Sequence, residues 1–258
     1  MIKKSKTIKM VIFPDSHAKQ EVPNTRFMVG GSFLLDYKPD VLIDMGDHWD
    51  MESLSTFDVG KKSFVGKTYK ADIDSGVDAM EKLLAPLKKA KRLPEMHFIM
   101  GNHEWRIHRA VEYDSKLENT VTFKDLRLPE MGWKVHNFKE IADIHGIGFI
   151  HYVPNGLMDR PIGGANVGKA IIKRAAGMSL FQGHRHDLDV ATEVGVSGKR
   201  LWGGSLGCYL DPDQWETYVS KTTQNTWWRG ITTMEVLDGQ IEKINFISLK
   251  SLYKEYSK

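Results

Sequence analysis

Continuous apolar runs alternate with helix-type patterns in the first hundred residues of the chain. The runs have the apolar character of buried strands in a parallel sheet, and they cover residues 8–13, 41–45 and 96–100. Between them, residues 27–37 and 69–91 carry apolar side chains at the spacing of one helix face. Pro86 is expected to kink or end the second of these helices. The order strand, helix, strand, helix, strand predicts parallel βαβ units.

The second half of the chain has shorter apolar runs that are separated by glycine. Runs at 147–150, 179–182 and 201–202 predict short strands, and 231–237 and 240–248 flank the turn sequence Asp238-Gly239. A β-rich half therefore follows an α/β half. We expect an α/β fold in which two sheets pack face to face with helices outside, as one domain over residues 1–258.

Residues 51–70 form a long polar stretch that contains four lysines. Such a stretch is typically a solvated loop, but its position directly after a candidate site also allows a lid or a substrate-contacting loop. Together with the helix that follows, it predicts an insertion at about 51–92.

Composition limits the classes of function. The chain has 36 basic and 33 acidic residues, a balance that does not by itself indicate nucleic-acid binding. Its one cysteine, Cys208, excludes an internal disulfide and a cysteine-rich zinc site, and we expect it to be buried. The basic N-terminus lacks the apolar core of a signal peptide, and no apolar run is long enough to span a membrane. We therefore expect a soluble cytoplasmic protein with no membrane partner.

Polar side chains follow five of the predicted strands. They are Asp15 and His17, Asp47 and Asp50, Asn102 and His103, His151, and finally His184 and His186. Ligands of open α/β sheets bind at the carboxyl ends of strands, so these side chains are expected to share one crevice. Each motif alone is weak, and a lone histidine is more often structural. In this order, however, carboxylate, imidazole and amide donors indicate a pair of divalent ions such as Mn, Fe, Zn or Ni.

The ordered motifs resemble those of the calcineurin-like metallophosphoesterases. The matching motifs are Asp15-x-His17, Gly46-Asp47-x-x-Asp50, Gly101-Asn102-His103-Glu104, His151 and Gly183-His184-x-His186, with Gly204-Ser205 similar to the family's Gly-Ser turn. The resemblance implies a four-layer α/β/β/α sandwich of two mixed sheets flanked by helices. It also implies two divalent metal ions, of which manganese is the first expectation, and a phosphoester substrate.

The same resemblance implies a role for each motif residue. Asp15, His17 and His186 would bind the first ion. Asn102, His151 and His184 would bind the second ion, and Asp47 would bridge the two. A metal-bound hydroxide would attack phosphorus. His103 would protonate the leaving group, and a carboxylate beside it, Asp50, would orient its imidazole.

The remaining polar residues near the motifs have two interpretations each. Arg106 and Arg185 could contact substrate phosphate or form salt bridges to nearby acids. His48 could reach the site, although a structural role is commoner. His145 competes with His151 for the fifth motif, and His151 is preferred because it directly follows an apolar run. His97, His108 and His136 match no motif and are expected to be structural.

The substrate class is the least determined feature. Met51 stands where the Ser/Thr protein phosphatases of this superfamily carry an arginine, which favours a phosphodiesterase acting on a nucleotide or nucleic acid. Residues 51–55 also resemble small phosphoesterases of bacteriophage genomes. A phosphomonoesterase and a non-catalytic interaction module are the alternatives. Aromatic side chains of the last third could stack on bases, pack in the core or form an oligomer interface: Trp202, Tyr209, Trp215, Tyr218, Trp227 and Trp228.

Overall fold

A computed structural model describes residues 6–216 and 219–257 of the chain. The strands are β1 (Ile8–Phe13), β2 (Val41–Asp44), β3 (Glu95–Ile99), β4 (Lys134–His136), β5 (Ala142–Ile144), β6 (Ile147–Ile150), β7 (Pro154–Asn155), β8 (Arg160–Pro161), β9 (Ser179–Gln182), β10 (Leu188–Val194), β11 (Arg200–Leu206), β12 (Gly230–Leu237) and β13 (Gln240–Ser248). The helices are α1 (Thr25–Tyr37), α2 (Tyr69–Leu84), α3 (Arg106–Tyr113), α4 (Val167–Arg174), α5 (Lys221–Gln224) and α6 (Leu249–Tyr256).

Most of these strands belong to two mixed sheets. Within the described residues, the first sheet has the order β13-β12-β1-β2-β3-β4, and the second has the order β10-β11-β9-β6-β5. Strands β1 to β4 are parallel, whereas the hairpin of β12 and β13 runs antiparallel to β1. In the second sheet β9 is parallel to both β6 and β11, and the edge strands are antiparallel. β7 and β8 form a separate small hairpin.

Alternate side chains of the central strands point into different cores. Met10 and Ile12 of β1 pack with Phe149 and Phe181 in the core between the two sheets. Val11 of β1 faces the opposite way and joins a second core, which the first sheet shares with α1, α2 and α6. α4 packs on the outer face of the second sheet through a third cluster. This alternation follows from the two-residue period of a strand, and it produces helix, sheet, sheet and helix layers.

The predicted four-layer sandwich is confirmed by this arrangement. Four strands have the predicted bounds, at residues 8–13, 147–150, 179–182 and 240–248. Pro86 acts as predicted, because α2 ends at Leu84 and a short 3₁₀ segment, Ala85–Lys89, contains the proline. The buried cysteine is also confirmed. No helix in the described part of the chain is long and apolar enough to cross a membrane.

The packing of α2 against the candidate site depends on Gly76. A Cβ atom at this position would overlap the indole of Trp49, which is completely buried. His48, beside Trp49 in the chain, contacts the carbonyl oxygen of Gly76 at 3.1 Å through its Nε2 atom. The absence of a side chain at Gly76 therefore lets the helix approach the loop that follows β2.

Gly76→Ala is expected to lower the free energy of unfolding by about 1–3 kcal/mol through overpacking. The sign of this change is informative, because alanine in a helix is ordinarily favoured over glycine by roughly 0.5–1 kcal/mol. A loss of stability would therefore indicate a steric overlap at this position. Urea denaturation measures the change. Gly195→Ala is the control, since a Cβ there meets only the Ser197 hydroxyl at 3.9 Å. A Gly76→Ala protein as stable as the Gly195→Ala protein would contradict the packing described.

Candidate metal centre

Six of the nine polar side chains predicted from the strand ends line one crevice of about 770 Å³: His17, Asp47, Asn102, His103, His184 and His186. β1, β2 and β3 of the first sheet and β6 and β9 of the second sheet all end at its floor. The parallel strands of each sheet present their carboxyl ends on the same side, so residues far apart in sequence meet there. The crevice walls come from the loop after β2, the start of α3 and residues 219–227.

The first group of donor atoms comes from both sheets. Asp15 and His17 follow β1, and His186 follows β9. One donor atom from each lies within 4.8 Å of the other two, and the Nε2 atom of His186 is 3.3 Å from Oδ2 of Asp15. All three side chains are buried. This is the set that the motifs predict for the first ion.

A second group of donor atoms lies beside the first. Asp47, His151 and His184 also place one donor atom each within 4.8 Å of one another. The amide oxygen of Asn102 joins them, because it lies 2.9 Å from Nε2 of His151. The structure therefore brings together all four residues that the motifs predict around the second ion.

Asp47 lies between the two groups. Its Oδ2 atom is 3.2 Å from Nε2 of His151 and 4.0 Å from Nε2 of His17. Its Oδ1 atom accepts a hydrogen bond from the backbone N–H of His103 at 2.8 Å, which fixes the carboxylate. One carboxylate thus faces imidazole nitrogens from both groups, as a bridging ligand must.

The histidine ring nitrogens are arranged as metal ligands require. Nδ1 of His151 donates to the carbonyl oxygen of Met45 at 2.8 Å, so Nε2, which faces Asp47, is the nitrogen left to bind an ion in place of a proton. Nδ1 of His17 lies 3.3 Å from the Asp50 carboxylate, and its buried Nε2 atom has no hydrogen-bond partner. Ligand histidines characteristically use one nitrogen this way while the other binds the ion. Donor types and orientation therefore fit divalent cations such as manganese, iron, zinc or nickel.

The electrostatics of the site favour bound cations. Burial alone would raise the pKa of the Asp47 carboxyl group. The nearby His151 and His103 have the larger effect, and they hold this pKa well below its usual value. Burial also opposes the charge on His151, but Asp47 raises its pKa to about 10. Burial likewise opposes the charge on His17, but Asp50 is its main partner and raises its pKa to about 9. The carboxylates thus create a negative potential that stabilises positive charge.

Four of the site residues have left-handed backbone conformations. The φ angles are 42° at His17, 49° at Asp47, 68° at His184 and 62° at His186. Such angles are uncommon for residues with a Cβ atom and often occur at functional sites. Gly46 precedes Asp47 at φ 83°, and a Cβ on it would overlap the carbonyl oxygen of Ile99. Neighbouring backbone therefore holds the Asp47 turn in place.

His103 lies at the edge of both groups and contacts Asp50. Its Nδ1 atom is 2.7 Å from the main-chain oxygen of Asp50 and 3.1 Å from the Oδ1 atom of the carboxylate. Its Nε2 atom faces the crevice side and lies 3.1 Å from Nη2 of Arg106. Burial, followed by the Arg106 charge, lowers the pKa of His103 below its ordinary value. The Asp50–His103 contact is the one that the sequence analysis predicts.

Arg106 and Arg185 both reach the crevice, but their hydrogen-bonding groups are partly engaged. The Nη1 atom of Arg106 donates to the main-chain oxygens of Asp50 at 2.9 Å and Met51 at 3.1 Å. Arg185 pairs with Asp187, at 2.6 Å from Nη2 to Oδ2. The salt-bridge interpretation therefore holds for Arg185, which still lines the crevice.

Of the two interpretations of His48, its contacts support the structural one. His48 is fully buried, and its Nδ1 atom lies 3.2 Å from both Asp44 and the Ser16 hydroxyl. Its Nε2 atom faces the carbonyl oxygen of Gly76 in α2. The residue next to Asp47 points away from the crevice, into the layer between the sheet and the helix.

The other histidines are separated from the site. His145 contacts Glu95 at 3.3 Å, at the start of β3 and thus at the opposite end of the sheet from the crevice. His97 and His136 share a 2.8 Å contact between ring nitrogens on neighbouring strands. His151, rather than His145, is therefore the histidine of the fifth motif that reaches the site.

Glu104 has a supporting role that the sequence analysis did not assign. Its Oε2 atom accepts from the backbone N–H groups of Asp47 at 2.9 Å and Gly101 at 3.0 Å, and its Oε1 atom accepts from Trp49 at 2.9 Å. Burial, and secondly the Asp47 charge, raise its pKa to about 8. This carboxyl group ties the loop after β2 to the loop after β3, and so sets the spacing of Asp47 and Asn102.

Two crevice walls come from segments for which the sequence left alternatives open. Ser55, Phe57, Asp58 and Lys61 bring the 51–70 loop to the site, and Phe57 is 76% exposed. On the other wall, the ring of Trp227 contacts His186 edge-on, with 4.4 Å between centroids. Of the aromatic set noted in the sequence, Tyr209 is buried and Tyr218 lies outside the described residues.

Comparisons with known proteins give matches in structure only. No family model and no curated protein matches the chain. Similar solved structures include an archaeal phosphodiesterase, 11% identical, with 93% of this chain and 100% of that chain covered and a TM-score of 0.44. A metallophosphoesterase from Sphaerobacter thermophilus is 14% identical over 97% of this chain and 95% of that chain, with a TM-score of 0.46. A predicted phosphoesterase from Streptococcus pneumoniae is 8% identical over 95% and 91%, with a TM-score of 0.37.

Glu104→Gln is expected to destabilise the metal-free protein by about 1–3 kcal/mol. Both carboxylate oxygens accept backbone N–H groups, so in either orientation the amide would place its NH₂ group against at least one donor. Urea denaturation in the presence of a chelator measures the loss, at a pH above 8 where the Glu104 carboxyl group is ionised. Glu118→Gln, at an exposed position, is the control. Equal stability of the two variants would show that the contacts of Glu104 do not hold the two loops.

Proposed function

We propose that this chain is a metal-dependent phosphodiesterase that binds two divalent ions and hydrolyses a nucleotide or nucleic-acid ester. The observation that carries the proposal is the position of Asp47, whose carboxylate faces both donor groups. A carboxylate shared by two ions roughly 3.5–4 Å apart is the usual basis of a two-metal phosphoesterase site. The ions would be held by Asp15, His17 and His186 on one side and by Asn102, His151 and His184 on the other.

When bound, two divalent ions supply Lewis acidity that neutralises the phosphate and makes water a usable nucleophile near neutral pH. The chain's own residues supply the rest. His103 stands at the rim with Nδ1 held by Asp50, and its Nε2 atom, which accepts from Arg106 in this structure, would protonate the departing oxygen once substrate displaces that contact. The backbone of Asp50 and Met51 holds Arg106 beside it, where a guanidinium would stabilise a phosphate oxygen.

Met51 and Arg106 together favour a diester over a monoester. The side chain of Met51 is completely buried, so the position at which the protein phosphatases carry an arginine supplies no cation. Arg106 brings a guanidinium close to that position, which is the observation in favour of a phosphomonoesterase as second candidate. However, three of the five N–H groups of Arg106 already contact two carbonyl oxygens and His103, which leaves two for contact with a phosphate.

The crevice walls support a base-containing substrate. Phe57 and Trp227 line the crevice from separate segments, and both present aromatic surface to it. Lys61 and Arg185 also line the crevice, although each is paired with an aspartate, Asp58 and Asp187 respectively. Aromatic side chains on which bases can stack are a usual means of binding single-stranded nucleic acid or nucleotides.

The test of this function compares bis-p-nitrophenyl phosphate with p-nitrophenyl phosphate as substrates for the Mn²⁺-loaded protein. We expect turnover of both to require the added ion and kcat/KM to be higher for the diester. A higher value for the monoester would establish the second candidate. Stoichiometric metal binding without turnover of either ester would instead favour a non-catalytic module.

His103→Ala is expected to bind two Mn²⁺ ions as the wild-type protein does but to lose roughly 10²–10⁴-fold in kcat, because the leaving group would depart without a proton. Metal content and kcat on a dinucleotide, whose alkoxide leaving group needs a proton that p-nitrophenolate does not, are measured on the same preparation. His145→Ala, at the far end of the sheet, is the control and should keep wild-type turnover. Loss of an ion from His103→Ala would mean that this histidine is itself a ligand.

A further inference from the structure

A buried lysine stands directly behind the carboxylate that contacts His103. Lys19 is only 6% exposed, and its Nζ atom lies 3.2 Å from Oδ2 of Asp50. The same Nζ atom lies 3.0 Å from each carboxylate oxygen of Glu216, which is 197 residues further along the chain. Burying an ammonium group is costly unless it is paired, so these contacts account for the position of Lys19 inside the protein.

The partner on the far side, Glu216, is held in place by its own contacts. Its backbone N–H donates to the side-chain oxygen of Gln224 at 2.9 Å, and its carboxylate accepts from Gln214 at 3.1 Å. Gln214 also donates to the carbonyl oxygen of His17 at 3.0 Å. The Glu216–Lys19 pair is therefore fixed relative to the backbone that carries a proposed metal ligand.

Asp50 is held from two opposite sides. Its Oδ1 atom faces Nδ1 of His103 at 3.1 Å and Nδ1 of His17 at 3.3 Å. Its Oδ2 atom is buried without a hydrogen bond, and in the described part of the chain Lys19 is the one lysine or arginine whose side chain pairs with it. Arg106 contacts the main-chain oxygen of Asp50 and not its carboxylate.

We propose that Lys19 is a positioning residue for the metal centre, which acts by holding the Asp50 carboxylate against the Nδ1 atoms of His17 and His103. One carboxylate would then orient both a metal ligand and the proton donor, and the Lys19–Glu216 pair would fix that carboxylate. Without the ammonium group, Asp50 and Glu216 would be two buried carboxylates with no cation between them. Asp50 would then turn toward water and release both rings.

This inference rests on the proposed function for its catalytic readout, but it also predicts metal affinity. Ligand-orienting residues outside the coordination sphere typically contribute 10- to 100-fold to affinity or activity. We therefore expect Lys19→Met to lower kcat on bis-p-nitrophenyl phosphate by about 10- to 100-fold, and to weaken Mn²⁺ binding by about 10-fold in calorimetric titration. KM should stay near its wild-type value, because Lys19 is behind the site and does not line the crevice.

A double-mutant cycle with Asp50→Asn distinguishes positioning from general stabilisation. If Lys19 acts through Asp50, Lys19→Met adds no further loss of kcat or of Mn²⁺ affinity in the Asp50→Asn background. Lys19→Arg keeps the cation and should recover most of both quantities. Lys82→Met removes an exposed lysine that pairs with Asp78, and it serves as the control with wild-type values.

The double variant Lys19→Met/Glu216→Gln provides a second test if Lys19→Met does not fold. It removes both charges of the buried pair, so Glu216 is not left as an unpaired buried carboxylate. It should show the same direction of loss as Lys19→Met. Wild-type kcat and Mn²⁺ affinity in either folded variant would overturn the inference, and so would equal losses in the wild-type and Asp50→Asn backgrounds. If the wild-type protein hydrolysed no phosphoester, the proposed function would fail, whereas the Mn²⁺ titrations would still decide the role of Lys19.

Discussion

The structure depends on the burial of several carboxylates at one edge of the sandwich. Asp15, Asp47 and Asp50 are each at most 3% exposed, and Asp47 lies close enough for its charge to oppose the ionisation of Asp15. Several kcal/mol would be lost for each buried charge that had no compensating partner. Histidines, the Lys19 ammonium group and backbone N–H groups surround these carboxylates and compensate their charge. The donor atoms between the imidazole rings are also suited to binding cations.

Strand geometry explains why these groups meet. The parallel strands of each sheet end on the same side, and the two sheets pack so that both sets of ends face one crevice. The loops after β1, β2 and β3 supply most of the carboxylates, and the loops after β6 and β9 supply the facing histidines. The predominantly acidic side of the site thus belongs to the first sheet and the predominantly basic side to the second. Neither sheet alone holds the full set of donor residues.

The sequence predicted the buried strands and the donor residues but not the elements that surround them. Continuous apolar runs such as Ile8–Phe13 mark strands that are covered on both faces, whereas Leu188–Val194 is half-buried or exposed along its length and shows no such run. The Lys19–Glu216 pair could not be predicted because neither residue belongs to a recognisable motif. The sequence left the role of His48 open, because adjacency to Asp47 says nothing about the direction of its side chain after a left-handed residue.

The first donor group has a consequence for the mechanics of the whole molecule. Asp15 and His17 belong to the end of β1, and His186 belongs to the end of β9 in the other sheet. An ion held by these three residues would link the two sheets of the sandwich. Because its binding free energy would add to that of sheet docking, sliding of one sheet past the other would be opposed by coordination as well as by the apolar core. Binding of the ion would then increase both the catalytic activity and the rigidity of the sandwich, and its loss would decrease both.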